Sequence, residues 1–334
     1  MIVDTAVENF INTPHIIIDV RSESEFLQGH IPDAVNLPLL NNDARKLVGT
    51  CYKLKGREAA VTLGFELAGP NFASIINDVN KITSDKSVSI YCWRGGMRSN
   101  VVAWILNLAG FNINLLCKGY KAYRKFTTKI FDSDYVFKVI GGPTGSGKTE
   151  ILNLLHNAGQ PVINLETLAH HKGSAFGALG QLPQQSQEQF ENNLAMQLYK
   201  TNGRAWIENE SRKIGRNVIP ANIYNLLRQA QLYQIDLAYE TRIERILNEY
   251  GHFDSQLLAN KTKEIAKRLG GLQLKNALSA LHENDLKRWI RILLVYYDKA
   301  YKHGNLQRDT NKISQINTAS PDDAFKLLSP YFFE

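Results

Sequence analysis

"YVFKVIGGPTGSGKTE", residues 135–150, decides the fold of the larger part of this chain. Its first eight residues are an apolar, β-branched run and read as a buried strand. From Lys148, apolar residues recur at helical spacing through "KTEILNLLHNAG" (148–159), which ends on glycine. Between the two, "GPTGSGKT" (142–149) matches G-x-x-x-x-G-K-[ST] in full, in the strand-before, helix-after setting that gives the motif its meaning. Gly142, Gly145, Ser146 and Gly147 offer backbone N–H groups to phosphate oxygens, Lys148 reaches the terminal phosphates, and the Thr149 hydroxyl suits Mg²⁺. Such a loop reads a pyrophosphate-like anion and not a base, so its ligand need not be ATP.

Toward the C-terminus, "PVINLE" (161–166), "RAWIENE" (204–210) and "LYQIDLAY" (232–239) are strand-like, and the chain turns mostly helical from about 240 to 302. Glu208 and Glu210 fall at the end of a strand, where an acid commonly holds a metal's water shell; a solvated strand end is the plainer alternative. Arg212 follows, with Lys213 and Arg216, as a candidate leaving-group or RNA-backbone contact. Arg242 and Arg245 lie on the next helical segment, where charge pairing on a helix surface competes with a phosphate-clamping role. The stretch "LAHHKGSAFGALGQLPQQSQEQFENNL" (168–194) has the glycine content of a functional loop leading into a helix, and makes His170, His171, Lys172 and Ser174 candidate substrate contacts. The two histidines have no acid or cysteine at ligand spacing, so no structural metal site is expected. Basic residues over 258–302, with Trp289, Tyr296 and Tyr297, suit either a nucleic-acid surface or a solvated helical face.

The N-terminal part alternates in the same way. "HIIIDV" (15–20), "AVNLP" (34–38), "SVSIYC" (87–92) and "INLLCKG" (113–119) read as strands. "SESEFLQG" (22–29) and "RSNVVAWILNLAG" (98–110) read as helices, the first opened by Ser22. This is a small parallel α/β sheet. "TTKIFDSDY" (127–135) marks the boundary, giving domains 1–130 and 131–334. At the end of the third strand, "YCWRGGMRSN" (91–100) sets Cys92 before two glycines, Arg94 and Arg98, and a helix start, a setting that favours a reactive thiolate over a buried structural thiol. Cys117 reads as core. Cys51, beside Lys53, Lys55 and Arg57, is a candidate resolving thiol.

Composition excludes several classes. Of 334 residues, 44% are hydrophobic and 21% charged, which fits a globular chain long enough for two cores. The net charge of +7 permits a polyanionic partner without demanding one. Three cysteines without paired spacing fit a reducing compartment and no disulfide framework. The N-terminus has no apolar core of a signal peptide, and no apolar run approaches membrane-spanning length, so a cytoplasmic protein with no membrane partner is expected.

Two stretches carry a resemblance. "IIIDVRSESEFLQGHIPDAVNLP" is similar to the N-terminal signature of rhodanese domains, and "YCWRGGMRS" to their active-site loop. The usual sulfurtransferase loop has four residues between cysteine and arginine. Here five separate Cys92 from Arg98, a longer loop that the resemblance associates with tetrahedral oxyanions, as in rhodanese-like phosphatases. A rhodanese-like parallel-sheet domain followed by a P-loop NTPase-like α/β domain with a helical C-terminal part resembles the tRNA 2-selenouridine synthases. "NLPLLNNDARKLVGTCYK", "LETLAHHKGSAFG" and "WIENESRKIG" extend the likeness over nearly the whole chain. The resemblance implies a tRNA substrate, the anticodon loop with 2-thiouridine at the wobble position. It also implies two co-substrates, selenophosphate and geranyl diphosphate: sulfur is geranylated and then replaced by selenium, which Cys92 accepts, with Arg94 and Arg98 balancing charge and Lys148 stabilising the departing pyrophosphate. A small-molecule P-loop kinase carrying a rhodanese-like sensor or sulfurtransferase domain is the alternative. A scaffold that only binds and a cysteine phosphatase are narrower ones.

Overall fold

The computed structural model describes residues 1–305 and 308–334; of Asn305 only the backbone is described. The chain forms two compact units. The first is Met1–Ile130 with Glu191–Met196, the second Phe131–Phe190 with Gln197–Glu334.

The first unit contains β1 (Ile2–Thr5), α1 (Val7–Ile11), β2 (Ile16–Asp19), α2 (Glu23–Gln28), β3 (Val35–Asn36), α3 (Asn42–Ala68), α4 (Phe72–Ile82), β4 (Ser87–Tyr91), α5 (Met97–Leu108), β5 (Asn112–Leu116) and α6 (Gly119–Phe131). Its sheet has the order β1-β5-β4-β2-β3, and every pairing is parallel. Central β4 is buried along its length except at Ser87, which is why "SVSIY" lacks alternation: helices cover both faces. Ile18, Val88, Ile90, Val102, Leu106, Ile113 and Leu115 form the core.

Three details depart from the sequence reading. β5 stops at Leu116, so Cys117 lies beyond the sheet and is exposed instead of in the core. β3 is two residues long. The segment 42–82 builds the helices α3 and α4, and an 18-residue window within it reaches a mean hydropathy of 1.3, an apolar length the sequence reading missed. This segment is interrupted twice. Gly56, at φ 83°, kinks α3, and a short 3₁₀ turn at Gly69–Asn71 separates it from α4. Ala60, Ala68, Ile75 and Val79 pack inward.

A buried ion pair fixes the start of this unit. Arg21 is fully buried and donates to Asp19 Oδ2 at 2.6 Å and to the Gly29 carbonyl at 2.6 Å, with its guanidinium 4.0 Å from the centre of the Tyr120 ring. "DVR" is thus a structural device: its charge is held by Asp19 against the cost of burial.

In the second unit the elements are β6 (Val136–Gly141), α7 (Lys148–Asn157), β7 (Val162–Ile163), α8 (Leu165–Ala169), α9 (Gln187–Lys200, of which Glu191–Met196 count with the first unit), β8 (Arg204–Glu208), the hairpin β9 (Lys213–Ile214) and β10 (Asn217–Val218), α10 (Ala221–Gln229) and β11 (Gln231–Leu237). There follow α11 (Tyr239–Tyr250), α12 (Ser255–Glu264), α13 (Ala266–Leu269), α14 (Gly271–His282), α15 (Leu286–Asn305), β12 (Ile313–Thr318) and α16 (Pro321–Leu328). The sheet order is β12-β11-β6-β8-β7, all parallel. Its core gathers Ile140, Ile151, Leu155, Trp206 and Ile235. The helical part has its own core, around Phe176, Ile243, Trp289 and Leu293. The fold is therefore α/β throughout, with the helical extension expected from about 240. Trp289, weighed as a base-stacking surface, is 1% exposed and donates to Thr262 Oγ1.

Candidate functional sites

The phosphate loop lies at the C-terminal end of β6, a middle strand with neighbours on both sides, and leads into α7. In open parallel sheets that end of the strands is where ligands sit. Gly147 precedes α7 in the left-handed region, at φ 81°. Ser146 is 1% exposed and its hydroxyl has no hydrogen-bond partner among the described residues. A buried hydroxyl left unpaired is costly, and an anion in the loop would satisfy it. Lys148 Nζ folds back onto the Gly142 carbonyl at 3.2 Å.

Around the loop is a cavity of about 790 Å³. Its lining brings Gly142, Gly145, Ser146, Gly147, Lys148 and Thr149 together with Glu210, Lys172 and Ser174. His170 and His171 are not part of that lining. His170 Nδ1 meets the Pro183 carbonyl at 3.1 Å and its Nε2 lies 3.1 Å from Gln185 Nε2, so the ring braces its own loop. His171 packs against Gly177, and burial pushes its pKa down. Arg212 is exposed and outside the lining, its carbonyl accepting from the Ile219 N–H at 2.9 Å. Lys172 pairs with Glu249 at 2.6 Å. Arg242 is buried, donates from Nε to the Thr144 carbonyl at 2.8 Å and pairs with Asp298, so it supports the loop's backbone. Arg245 does line the cavity and pairs with Glu150 at 2.5 Å.

Glu166 is the residue that sequence reasoning missed. "PVINLE" reads as a strand through residue 166, but β7 ends at Ile163. Asn164 then caps α8, its side chain accepting from the Thr167 N–H at 2.8 Å, which turns Glu166 back toward the loop. Carboxylate oxygens of Glu166, Glu208 and Glu210 lie within 4.8 Å of one another, and Thr149 Oγ1 is 3.4 Å from Glu166 Oε2. Glu208 is fully buried. One of its oxygens accepts from the Glu166 N–H at 2.7 Å, and the other has no partner among the described residues. Burial, then repulsion from Glu166, pushes the Glu210 carboxyl up to about 7, with Lys148 opposing; burial and its acidic neighbours raise Glu208 well above the ordinary carboxylate range. Three converging carboxylates, one of them with an unpartnered oxygen, fit a small divalent cation such as Mg²⁺. When bound, such an ion neutralises charge on phosphate oxygens.

The thiol site stands at the C-terminal end of β4. Cys92 is 3% exposed; its Sγ accepts from the Gly96 N–H at 3.3 Å and lies 3.1 Å from Ser99 Oγ on α5. The loop is anchored from one side: the Tyr120 and Lys121 N–H groups donate to the carbonyls of Cys92 and Trp93 at 2.8 and 3.0 Å. Gly119 makes this approach possible. It sits at φ 58°, and a β-carbon there would lie 2.2 Å from the Cys92 carbonyl oxygen. Arg98 does not act as a free charge, since it forms two hydrogen bonds to Glu25, at 2.6 and 3.2 Å. Arg94 is exposed and has no ion pair among the described residues. Cys51, on α3, is half-buried and is outside the linings of the cavities beside the Cys92 loop.

Comparison with known proteins agrees with this division. Residues 3–126 match the rhodanese-like domain family, and residues 135–324 match the family described as the tRNA 2-selenouridine synthase AAA domain. The chain is 34% identical to a tRNA 2-selenouridine synthase of Nitrosomonas eutropha, over 87% of this chain and 88% of that one. It is 35% identical to one of Shewanella sediminis, over 86% and 87%. Among solved structures, the N-terminal domain of an ATP/GTP-binding protein from Clostridium difficile 630 matches 36% of this chain and 96% of its own, at 35% identity and a TM-score of 0.35. With both halves matched in order and relatives aligned nearly end to end, the chain belongs to the tRNA 2-selenouridine synthase family.

Proposed function

We propose that this chain is a tRNA-modifying transferase that replaces the 2-thio sulfur of the wobble uridine by selenium from selenophosphate, through S-geranylation with geranyl diphosphate. The observation that carries the reading is the presence, on one chain, of two anion-reading loops of different chemistry. The loop after β4 contains a thiol. The loop after β6 leads into Lys148, faces the carboxylates of Glu166 and Glu210, and contains no thiol.

In the second unit the diphosphate end of the allylic donor occupies the phosphate loop. Lys148, released from the Gly142 carbonyl, meets the charge that grows on the pyrophosphate as its bond to carbon breaks. Glu166, Glu208 and Glu210 would hold Mg²⁺. The tRNA sulfur takes the geranyl group, the uridine N3 proton is lost and pyrophosphate leaves. In the first unit, selenophosphate meets the Cys92 loop: its selenium bonds to uridine C2 as the C2–S bond breaks and geranylthiol departs, and water then cleaves the P–Se bond, releasing phosphate and leaving 2-selenouridine. Reaching a wobble base requires a splayed anticodon loop, as single-stranded RNA recognition generally does.

Reconstitution with the purified chain tests this. Product 2-selenouridine should require thiolated tRNA, selenophosphate and geranyl diphosphate together, and should not require ATP. The carboxylate cluster beside Thr149 also suits a nucleotide-bound metal, which favours the kinase reading as the second choice. That reading requires ATP turnover with a phosphoryl acceptor and indifference to Cys92→Ser.

A further inference from the structure

The first unit contains a cavity beside the Cys92 loop whose walls come mostly from α3. It measures about 620 Å³, the size of a small-ligand pocket. Its existence follows from the kink at Gly56. Before the kink α3 contributes Val48 and Tyr52, after it Ala60, Val61 and Phe65, and α5 closes one side with Val101. The walls are thus almost wholly hydrocarbon, on a helix that leaves Tyr52, Leu54 and Phe65 exposed. Cations border it: Arg45, Lys53 and Arg57 from α3, and Arg94 and Arg98 from the Cys92 loop and the start of α5. Arg98, and at 3.7 Å Arg45, share Glu25. Lys53, Arg57 and Arg94 are exposed and form no ion pair among the described residues.

Hydrocarbon walls ask for an apolar chain, and unpaired cations at the border ask for an anion on the same molecule. Because Arg94, Met97 and Arg98 belong both to the cavity and to the segment that follows Cys92, the bound chain lies beside the thiol. We infer that this cavity receives the apolar chain of an S-alkylated nucleotide, about ten carbons long, while Lys53, Arg57 and Arg94 meet the nucleotide's phosphates. That the ligand joins an apolar chain to an anion follows from the cavity, whereas naming it an S-alkylated nucleotide with a ten-carbon chain, geranyl on tRNA sulfur, rests on the proposed function. The cavity would be the place where the alkylated base is presented to the Cys92 loop, separate from the phosphate loop of the second unit.

The test is calorimetric binding of 2-(geranylthio)uridine 5′-phosphate to the full chain, with 2-thiouridine 5′-phosphate and geranyl diphosphate as comparison ligands. The wild type should prefer the alkylated nucleotide at least tenfold over the thiolated one. Val61→Trp, which fills the cavity, should abolish that preference while leaving pyrophosphate binding unchanged. Lys53→Glu with Arg57→Glu, both on the exposed surface and so safe for folding, should weaken binding at least fivefold, less so at high salt. Preference that survives in a folded Val61→Trp protein, or that disappears in Lys148→Ala, overturns the inference. So does geranyl diphosphate that binds in a Val61-dependent manner more tightly than the nucleotide. Failure of the proposed function looks different: the cavity would bind the alkylated nucleotide, but wild-type protein would not convert geranylated tRNA to the seleno form.

Discussion

At the scale of single residues, the two loops make separable demands. Cys92 is the only cysteine within the loop after β4, and its Sγ receives a backbone N–H from Gly96. Cys92→Ser should abolish selenium incorporation while tRNA binding and geranylation continue, as read by nucleoside mass spectrometry; 2-selenouridine at the wild-type level would remove the thiol from the reaction. Lys148→Ala should cut geranylation by about 10²–10³, the usual cost of losing one preorganised charge at a developing anion. For the carboxylates, Mg²⁺ with pyrophosphate should raise the melting temperature of the wild type, by the equivalent of about 2.7 kcal/mol at a hundredfold excess over Kd. Glu208→Gln should lose most of that increment. Equal shifts in both proteins would mean that the cluster of Glu166, Glu208 and Glu210 does not hold the ion. Lys148 and Cys92 were legible from sequence because each belongs to a glycine-bearing junction between an apolar run and a helix. Glu166 was not legible. A two-residue strand followed by an asparagine-capped turn of helix looks, in one dimension, like one longer strand.

Among elements, the informative cases are those whose local pattern misleads. Cys117 extends the apolar run "INLLC", yet the parallel pairing of β5 ends at Leu116 and the chain leaves the sheet there. α3 has little helical amphipathicity to reveal it, because its kink at Gly56 turns its two arms around a cavity instead of laying one stripe on a core. The contact between the Cys92 loop and the start of α6 yields a prediction at this scale. Gly119→Ala places a β-carbon against the Cys92 carbonyl in a backbone region that disfavours side chains. It should destabilise the first unit by about 1–3 kcal/mol and reduce selenation, with pyrophosphate binding in the second unit unchanged. A neutral result in urea unfolding would show that the loop does not depend on that approach. Asp19→Ala, which strands the buried Arg21 charge, should cost more, about 3–5 kcal/mol in the same measurement.

For the whole molecule, each unit presents its candidate site loop at the C-terminal end of a parallel sheet. The order of a rhodanese-like domain and a phosphate-loop domain was readable from two motifs in sequence, whereas the apolar cavity required coordinates, since its walls come from residues 39 to 101. If the loops act in sequence, the second can be bypassed. Lys148→Ala protein given already geranylated tRNA and selenophosphate should still form the selenonucleoside, and failure of that rescue in a folded, tRNA-binding protein would assign the phosphate loop to both steps. The most direct measurement is mass spectrometry of wobble nucleosides from cells with and without this chain. Cells that have it should contain 2-selenouridine at thiolated wobble positions, and cells lacking it should retain 2-thiouridine alone. An identical selenonucleoside content in the two would contradict the proposed function.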